Sequence, residues 1–95
     1  MSAPRSLAEV RTRIDVLDGD LIRLLAERQE LVRAAATFKA DEQAVRAPDR
    51  VERVVSLARE RAAAAGLEPA VAEAVWRAMI GTFIAFELDE HSARR

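Results

Sequence analysis

The chain of 95 residues contains no cysteine and no tyrosine, and it has only three glycines, three prolines and 4% aromatic residues. Without cysteine it can form neither a disulfide nor a thiolate metal site. Hydrophobic residues make up 51% of the chain and charged residues 33%, with alanine, leucine, arginine and glutamate abundant. This composition is typical of an all-helical protein, and the length predicts a single domain spanning residues 1–95.

Two further absences concern partners and location. The formal net charge of -1 gives no electrostatic reason to bind nucleic acid, despite the many arginines. The N-terminus lacks the apolar run of a signal peptide, and no stretch approaches the length that spans a membrane. We therefore expect a soluble, cytoplasmic protein with neither nucleic acid nor membrane as a partner.

The first forty residues carry an apolar residue at alternating spacings of three and four, which is the heptad pattern of a helix packed along a narrow seam. The seam positions are Leu7, Val10, Ile14, Leu17, Leu21, Leu24, Leu31, Ala35 and Phe38. One position of the pattern holds Arg28 instead. Because a guanidinium cannot lose its charge, Arg28 needs an anion to face.

The predicted first helix spans about residues 5–40, with Ser6 and Glu9 in the capping-box relation. A helix of that length extends roughly 50 Å at 1.5 Å per residue. A compact chain of this size is only about 30–35 Å across. The seam must therefore be covered by another chain, and a homodimer is the commonest way to do so.

Two shorter helices are predicted to follow a loop from Asp41 to Pro48. The second helix spans about residues 49–65, with Asp49 as its N-cap and Gly66 at its end. The third begins at Pro69 and spans about residues 69–90. The predicted buried stripes are Val51, Val54, Val55, Ala58 and Ala62 on the second helix, and Val71, Val75, Trp76, Met79, Ile80, Phe83, Ile84 and Leu88 on the third. The predicted class is all-α, with one long and two medium helices.

Four more charged residues fall on or near these packing faces. Lys39 follows Arg28 by eleven residues, which returns it to within about 20° of the same helix face. Arg11 points about 100° away from Arg28, so in a dimer it could reach the partner's pocket. Glu87 puts a carboxylate on the apolar stripe of the third helix. Arg50 opens the second helix, where it could close over a site.

Each of these residues has a purely structural alternative. Arg28 could extend its charged end to water along the seam, and Lys39 could interact favourably with a helix C-terminus. Glu87 could pair with one of the basic residues or face solvent. Arg11 and Arg50 could form ordinary surface pairs with neighbouring acidic residues.

The remaining charged residues suggest no function. His91 is the single histidine, and we expect it in a mobile tail without a metal or catalytic role. The residues interpreted as a solvated face are Arg13, Arg23, Arg33, Arg53, Arg59 and Arg61.

Five segments together resemble the all-helical chorismate mutases and their relative, isochorismate-pyruvate lyase. They are VRTRID around Arg11, LLAERQELV around Arg28, FKA with Lys39, APDRV with Arg50, and VWRAMIGTFIAFE ending at Glu87. Each motif is short, but their order and spacing agree, and the resemblance covers about residues 7–90.

The resemblance implies an intertwined homodimer with two equivalent sites, each of which borrows Arg11 from the partner chain. Arg28 and Arg11 would hold the two carboxylates of chorismate or isochorismate, since a guanidinium suits bidentate carboxylate binding. Lys39 would donate to the ether oxygen, and Arg50 would contact a carboxylate or the breaking bond. Conversion of chorismate to prephenate is a pericyclic rearrangement, so no cofactor, metal or nucleophile is implied.

Two positions depart from the common family pattern. The common bacterial mutases and the lyase have glutamine where this chain has Glu87, whereas fungal mutases have glutamate. To donate a hydrogen bond to the ether oxygen, Glu87 must be protonated. Typical mutases have acidic residues at the positions of Ala47 and Val51, and their absence resembles the lyase branch. Chorismate mutase is our first interpretation, the lyase that makes salicylate and pyruvate is the second, and a non-catalytic helical dimerisation module is the third.

Overall fold

A computed structural model describes residues 2–93 of the chain. Regular structure in this range consists of four helices: α1 (Leu7–Ala36), α2 (Glu42–Arg46), α3 (Pro48–Ala65) and α4 (Pro69–Ala93). The predicted all-α class with three main helices is confirmed, and α2 is a short addition of five residues. Between residues 2 and 93, no helix is both long enough and apolar enough to cross a membrane.

The chain divides into two compact units, one ending at Leu31 and the other beginning at Val32. In the first unit, local hydrogen bonds fix the start of α1. The Glu9 backbone N–H donates to Ser6 Oγ at 3.1 Å, as the capping-box pattern predicts. The Glu9 carboxylate accepts from the Arg5 backbone N–H at 2.9 Å and pairs with Arg13 at 2.8 Å. The bond to Ser6 satisfies one of the backbone N–H groups that a helix start leaves without a partner.

The apolar stripe of α1 is largely exposed in the single chain. The seam residues that keep about half or more of their surface in contact with solvent are Leu7, Ile14, Leu17, Leu21, Leu24 and Leu31. Burial of one such side chain is worth about 1.5–3 kcal/mol. The single chain therefore leaves unused most of the hydrophobic stabilisation that this stripe can provide.

α1 ends at Ala36, earlier than the predicted end near residue 40. The Thr37 hydroxyl donates to the Ala34 carbonyl oxygen at 2.7 Å. The backbone N–H groups of Thr37 and Phe38 also bond to carbonyls three residues back, which tightens and closes the last turn. Phe38 is consequently 89% exposed instead of lying on the seam. Lys39 follows the helix end, so the predicted helical alignment of Lys39 with Arg28 does not apply.

The predicted loop from Asp41 to Pro48 contains α2. The Asp41 side chain accepts a hydrogen bond at 2.9 Å from the backbone N–H three residues on, and thereby caps this helix. Ala47 has the left-handed torsions φ 37° and ψ 63°, and it both ends α2 and precedes α3. Pro48 occupies the first position of α3, where its missing N–H costs nothing. Asp49 therefore lies inside the first turn instead of at the predicted N-cap.

In the second unit, α3 packs against α4 mainly through small side chains. The buried residues of α3 are Val55, Ala58 and Ala62, which belong to the stripe predicted for that helix. Opposite them, Ala72 and Ile80 are buried on α4. Because the alanine side chain is a single methyl group, the backbones of α3 and α4 can approach closely.

The buried side of α4 agrees with the predicted stripe at Ile80 but differs from it near the start of the helix. Val71 and Val75 were expected to be buried but are 49% and 51% exposed. Ile80 is buried as predicted, and the other buried residues of α4 are Ala72 and Glu87, so the smallest side chain takes the facing position near the helix start. A carboxylate therefore lies on the same line as the core residues of α4.

The ends of α3 and α4 are joined by a tight turn at Gly66, as predicted. Gly66 adopts φ 82°, a left-handed conformation that glycine enters without steric cost. The next backbone N–H, that of Leu67, donates to the Ala62 carbonyl oxygen at 2.8 Å. This pattern satisfies carbonyls at the helix end and directs the chain back into α4.

Arg77 on α4 links the exposed sides of α3 and α4. Its guanidinium donates two bonds of 2.9 Å to Glu52 on α3 and one of 2.9 Å to Glu73. Arg59 of α3 donates to Glu73 as well, at 2.9 Å. The hydrogen bonds from Arg77 hold the pKa of both carboxyls below the ordinary value of 4.5.

Acid should therefore weaken the contact between α3 and α4. Because the folded-state pKa of Glu52 and Glu73 lies below the unfolded value, their stabilising contribution is present above the unfolded pKa and is lost as the pH falls through the folded one. Arg77→Gln should lower the melting temperature near pH 7, and its difference from wild type should shrink as the pH falls toward about 3. Circular dichroism melts measure this difference. The control is Arg61→Gln, at an exposed position of α3. If the difference in melting temperature between Arg77→Gln and wild type does not change with pH, the ion pairs of Arg77 are not the cause of that difference.

Candidate functional site

An ion pair between Lys39 and Glu87 forms the centre of the candidate site. Lys39 Nζ lies 2.7 Å from Glu87 Oε2. Glu87 is 5% exposed and is the one buried charged residue in the part of the chain that the structure describes. The Lys39 side chain is 27% exposed, so part of it remains in contact with solvent. The fold thus brings together the two residues that were predicted to act on one substrate oxygen.

This ion pair leaves hydrogen-bonding capacity unused on Glu87. Apart from its 2.7 Å contact with the Lys39 ammonium, Glu87 Oε2 is buried without a hydrogen-bond partner within residues 2–93. Charge attraction at short range therefore holds the pair together. A buried carboxylate oxygen without a hydrogen bond is costly. A polar ligand group placed beside the pair could supply that bond.

A second contact joins α4 to Lys39, at its backbone. His91 follows Glu87 by four residues on α4, which places both on one face of the helix. His91 Nε2 lies 3.0 Å from the Lys39 carbonyl oxygen. Because a carbonyl oxygen only accepts, Nε2 carries the proton and donates. His91 Nδ1 is buried and, among the described residues, has no hydrogen-bond partner.

The position of His91 corrects the expectation of a mobile tail. α4 continues to Ala93, beyond the predicted end near residue 90, and His91 is half-buried in its last turn. The sequence contains one signal that could have found it, namely the spacing of four residues from Glu87. That spacing alone does not identify what the histidine contacts.

Arg33 also packs against α4, although the sequence suggested a solvated position. Its Nε lies 3.4 Å from Glu90 Oε2, and its guanidinium carbon lies 5.2 Å from the centroid of the Phe86 ring. A guanidinium over an aromatic face is attracted by the ring electrons as well as by the carboxylate. These contacts attach the last turn of α1 to α4 next to Glu87.

The predicted arginines are placed as follows. Arg50 is exposed in the first turn of α3. On α1, Arg28 is half-buried and Arg11 is exposed, and both belong to the first unit. Lys39, Arg50 and Glu87 belong to the second unit. The grouping of the three arginines with Lys39 and Glu87 around one ligand stays a prediction.

Comparison with known proteins identifies the family. Residues 10–88 match the family model described as chorismate mutase type II. The chain belongs to this family. A relative from Pseudomonas aeruginosa, named isochorismate pyruvate lyase, is 34% identical over 82 residues, which cover 86% of this chain and 81% of the relative. The family resemblance predicted from the sequence motifs is therefore confirmed.

The range that matches the chorismate mutase type II family contains every predicted site residue, and His91 lies beyond its end. The residues inside it are Arg11, Arg28, Lys39, Arg50 and Glu87. Within the described range, no three histidine, aspartate or glutamate side chains are grouped so that they could hold a metal ion.

Removal of the Lys39 charge should leave Glu87 as an unpaired carboxylate in the core. We expect Lys39→Met to lower the free energy of unfolding by about 2–4 kcal/mol, because a buried charge that loses its partner keeps its desolvation cost. Adding Glu87→Leu to Lys39→Met should recover most of the loss. Urea unfolding of both single variants and the double variant measures the coupling. The control is Arg50→Met, at an exposed site, which should change the free energy of unfolding by less than about 0.5 kcal/mol. If the effects of Lys39→Met and Glu87→Leu on that free energy are additive, a direct ion pair is contradicted.

Proposed function

We propose that this chain rearranges chorismate to prephenate in a cationic pocket that contains Lys39 and Glu87. The observation that carries the proposal is the 2.7 Å contact between Lys39 Nζ and buried Glu87 Oε2, inside the range that matches the family. Family membership and the similar relative indicate an enzyme of the chorismate mutase and isochorismate pyruvate lyase type, with a small-molecule substrate. The choice of chorismate as the substrate is our proposal.

The rearrangement of chorismate depends on positioning of the substrate and on stabilisation of the charge that develops, more than on proton transfer. In one pericyclic step the ether C–O bond breaks and a new C–C bond forms, while negative charge grows on the ether oxygen. The substrate must also be held in the reactive conformer. In the proposal, the Lys39 ammonium donates to the ether oxygen. Because the partner of Lys39 is buried, the ammonium acts where water screens charge less than in bulk solution.

Three arginines are proposed to hold the substrate. Arg28 and Arg11 would each bind a carboxylate through the paired N–H groups of the guanidinium, with Arg11 supplied by the partner chain. Arg50, in the first turn of α3, would contact a carboxylate or the region of the breaking bond. One carboxylate of chorismate is on the ring and the other is on the enolpyruvyl group, so holding both restricts rotation between these two parts and favours the conformer that reacts.

Glu87 is proposed to act with Lys39 at the same oxygen. As the partner of an ammonium group, Glu87 is an anion. As a hydrogen-bond donor to the ether oxygen, it must carry a proton. In the proposal Glu87 acts as the neutral acid when it donates this hydrogen bond, and the ether oxygen then replaces the carboxylate as the partner of Lys39.

Isochorismate pyruvate lyase activity is the second candidate. The relative of that name from Pseudomonas aeruginosa is 34% identical over most of both chains. The absence of acidic side chains at Ala47 and Val51 supports the same activity, because typical mutases have acidic residues there that contact the ring hydroxyl. Both reactions are pericyclic and would use the same pocket, so the choice concerns the substrate and not the site.

A homodimer is proposed as the working form. The exposed apolar stripe of α1, which includes Leu17, Leu21 and Leu24, supports it, because a second copy would bury these side chains. The exposed position of Arg11 on the same helix suits a residue that serves the partner's site. The cytoplasmic location expected from the sequence stays a prediction.

Kinetic assays with each substrate decide between the proposed activities. We expect prephenate from chorismate with a higher kcat/KM than salicylate and pyruvate from isochorismate. Arg28→Ala and Lys39→Ala should each lower kcat/KM by roughly 10³-fold or more, since each removes a charge that contacts the substrate. Arg23→Ala removes an exposed arginine of α1 and should have little effect.

Two outcomes would change the proposal. A higher kcat/KM for isochorismate would identify the chain as the lyase. Full activity in Arg28→Ala and Lys39→Ala, or turnover of neither substrate by wild type, would contradict a catalytic site and favour a dimerisation module.

The shared site can be tested by mixing two inactive variants. If each site takes Lys39 from one chain and Arg11 from the other, a heterodimer of Arg11→Ala and Lys39→Ala contains one intact site. Random reassociation of the two variants in equal amounts should restore about a quarter of the wild-type activity. Sedimentation should give the mass of two chains for each variant. Absence of recovery in a mixture shown to contain heterodimers would contradict the borrowed arginine.

A further inference from the structure

We infer that His91 is a positioning residue for Lys39: its imidazole holds the Lys39 backbone so that the ammonium group reaches the reacting oxygen. The inference rests on the proposed function, because it assigns a purpose to the position of Lys39. The geometric part of the inference, that His91 determines where Lys39 lies, can be measured without any turnover.

Lys39 lies where the backbone receives little support from a helix. α1 ends at Ala36, and α2 begins at Glu42. The neighbouring Phe38 side chain is 89% exposed, so it does not anchor this segment in the core. A catalytic lysine at such a place needs its backbone fixed from outside the segment, because a displacement of about 1 Å can cost a hundredfold in rate.

One face of α4 supplies two contacts to this single residue. Glu87 lies 2.7 Å from the Lys39 ammonium, and His91 lies 3.0 Å from the Lys39 carbonyl oxygen, 52 residues away in the sequence. The contact with Glu87 uses the Lys39 ammonium, which the substrate would also use. The contact with His91 uses the backbone carbonyl of Lys39, so in the inference it persists when the ammonium moves from Glu87 to a ligand. His91 can therefore hold Lys39 in place in both states.

The chemistry of the contact limits what can replace His91. The ring must donate from Nε2, and Nδ1 has no hydrogen-bond partner among residues 2–93. The Lys39 carbonyl is therefore the contact that orients the ring. A glutamine side chain places an N–H donor at a similar reach, whereas an asparagine donor falls short by about one bond, and leucine has no donor.

Substitution of His91 should lower kcat more than it changes KM. In the proposal, the arginines bind the carboxylates equally in the ground state and the transition state, whereas Lys39 meets charge that grows only in the transition state. Displacement of Lys39 therefore lowers kcat while substrate binding is retained.

The experiment compares His91→Gln, His91→Asn and His91→Leu with wild type. We expect His91→Leu and His91→Asn to lower kcat by between roughly tenfold and a hundredfold with KM little changed. His91→Gln should keep kcat within about threefold of wild type, because it restores the donor. Urea unfolding of each variant shows that the folded fraction under assay conditions is the same.

Nuclear magnetic resonance tests the contact without turnover. Lys39 is the only lysine and His91 the only histidine of the chain, so selective labelling gives one side-chain signal for each. The imidazole nitrogen shifts should identify the tautomer with the proton on Nε2. The Lys39 Cε signal should move in His91→Leu and His91→Asn but stay near the wild-type position in His91→Gln.

Each result decides a separate point. Three results would overturn the positioning role. The first is a wild-type kcat in His91→Leu, and the second is an equal loss of kcat in His91→Gln and His91→Leu. The third is a Lys39 Cε signal that does not move in any of the three variants. If the wild-type chain turns over neither substrate while the Lys39 signal responds as expected, the proposed function fails and the placement of Lys39 by His91 stands.

Discussion

The burial of Glu87 is the constraint on which the second unit of this chain depends. A carboxylate removed from water needs a cation nearby, and the other buried residues of α4, Ala72 and Ile80, cannot provide one. The cation comes instead from Lys39, in the segment after α1. Lys39 can make that contact because the backbone after the end of α1 passes beside the last turns of α4. The same charge therefore shapes both the fold here and the chemistry of the candidate site.

Local hydrogen bonds explain which helix ends the sequence predicted correctly. Ser6 and Gly66 act within one turn of their own positions, so their patterns can be recognised without knowledge of the fold. The early end of α1 was missed because the apolar pattern continues to Phe38, whereas the decisive bond from the Thr37 hydroxyl to a carbonyl leaves that pattern unchanged. α2 was missed because five residues are too few to show a helical period.

The site residues differ in how visible they are in a sequence. Glu87 was found because a carboxylate on an apolar stripe is chemically conspicuous. Lys39 was first singled out by a helical alignment with Arg28 that was wrong, because α1 ends at Ala36, and it then also fell within a family motif. His91 was missed for a physical reason: it contacts a backbone carbonyl, which every residue has, so nothing at position 39 indicates that a partner is needed. The proposed supply of Arg11 by a partner chain depends on contacts between chains, which no local pattern of the sequence describes.

The torsions of Ala47 limit which amino acids could be tried at that position. This residue joins α2 to α3 in a left-handed conformation, which costs about 1–2 kcal/mol for most side chains but is visited more readily by glycine, asparagine and aspartate. It is also one of the two positions where typical mutases have an acidic residue. Aspartate would therefore suit the backbone and would also match the acidic residue of typical mutases, whereas a β-branched residue would disturb the junction. At position 47 the backbone conformation therefore limits the tolerated side chains before any ligand contact is considered.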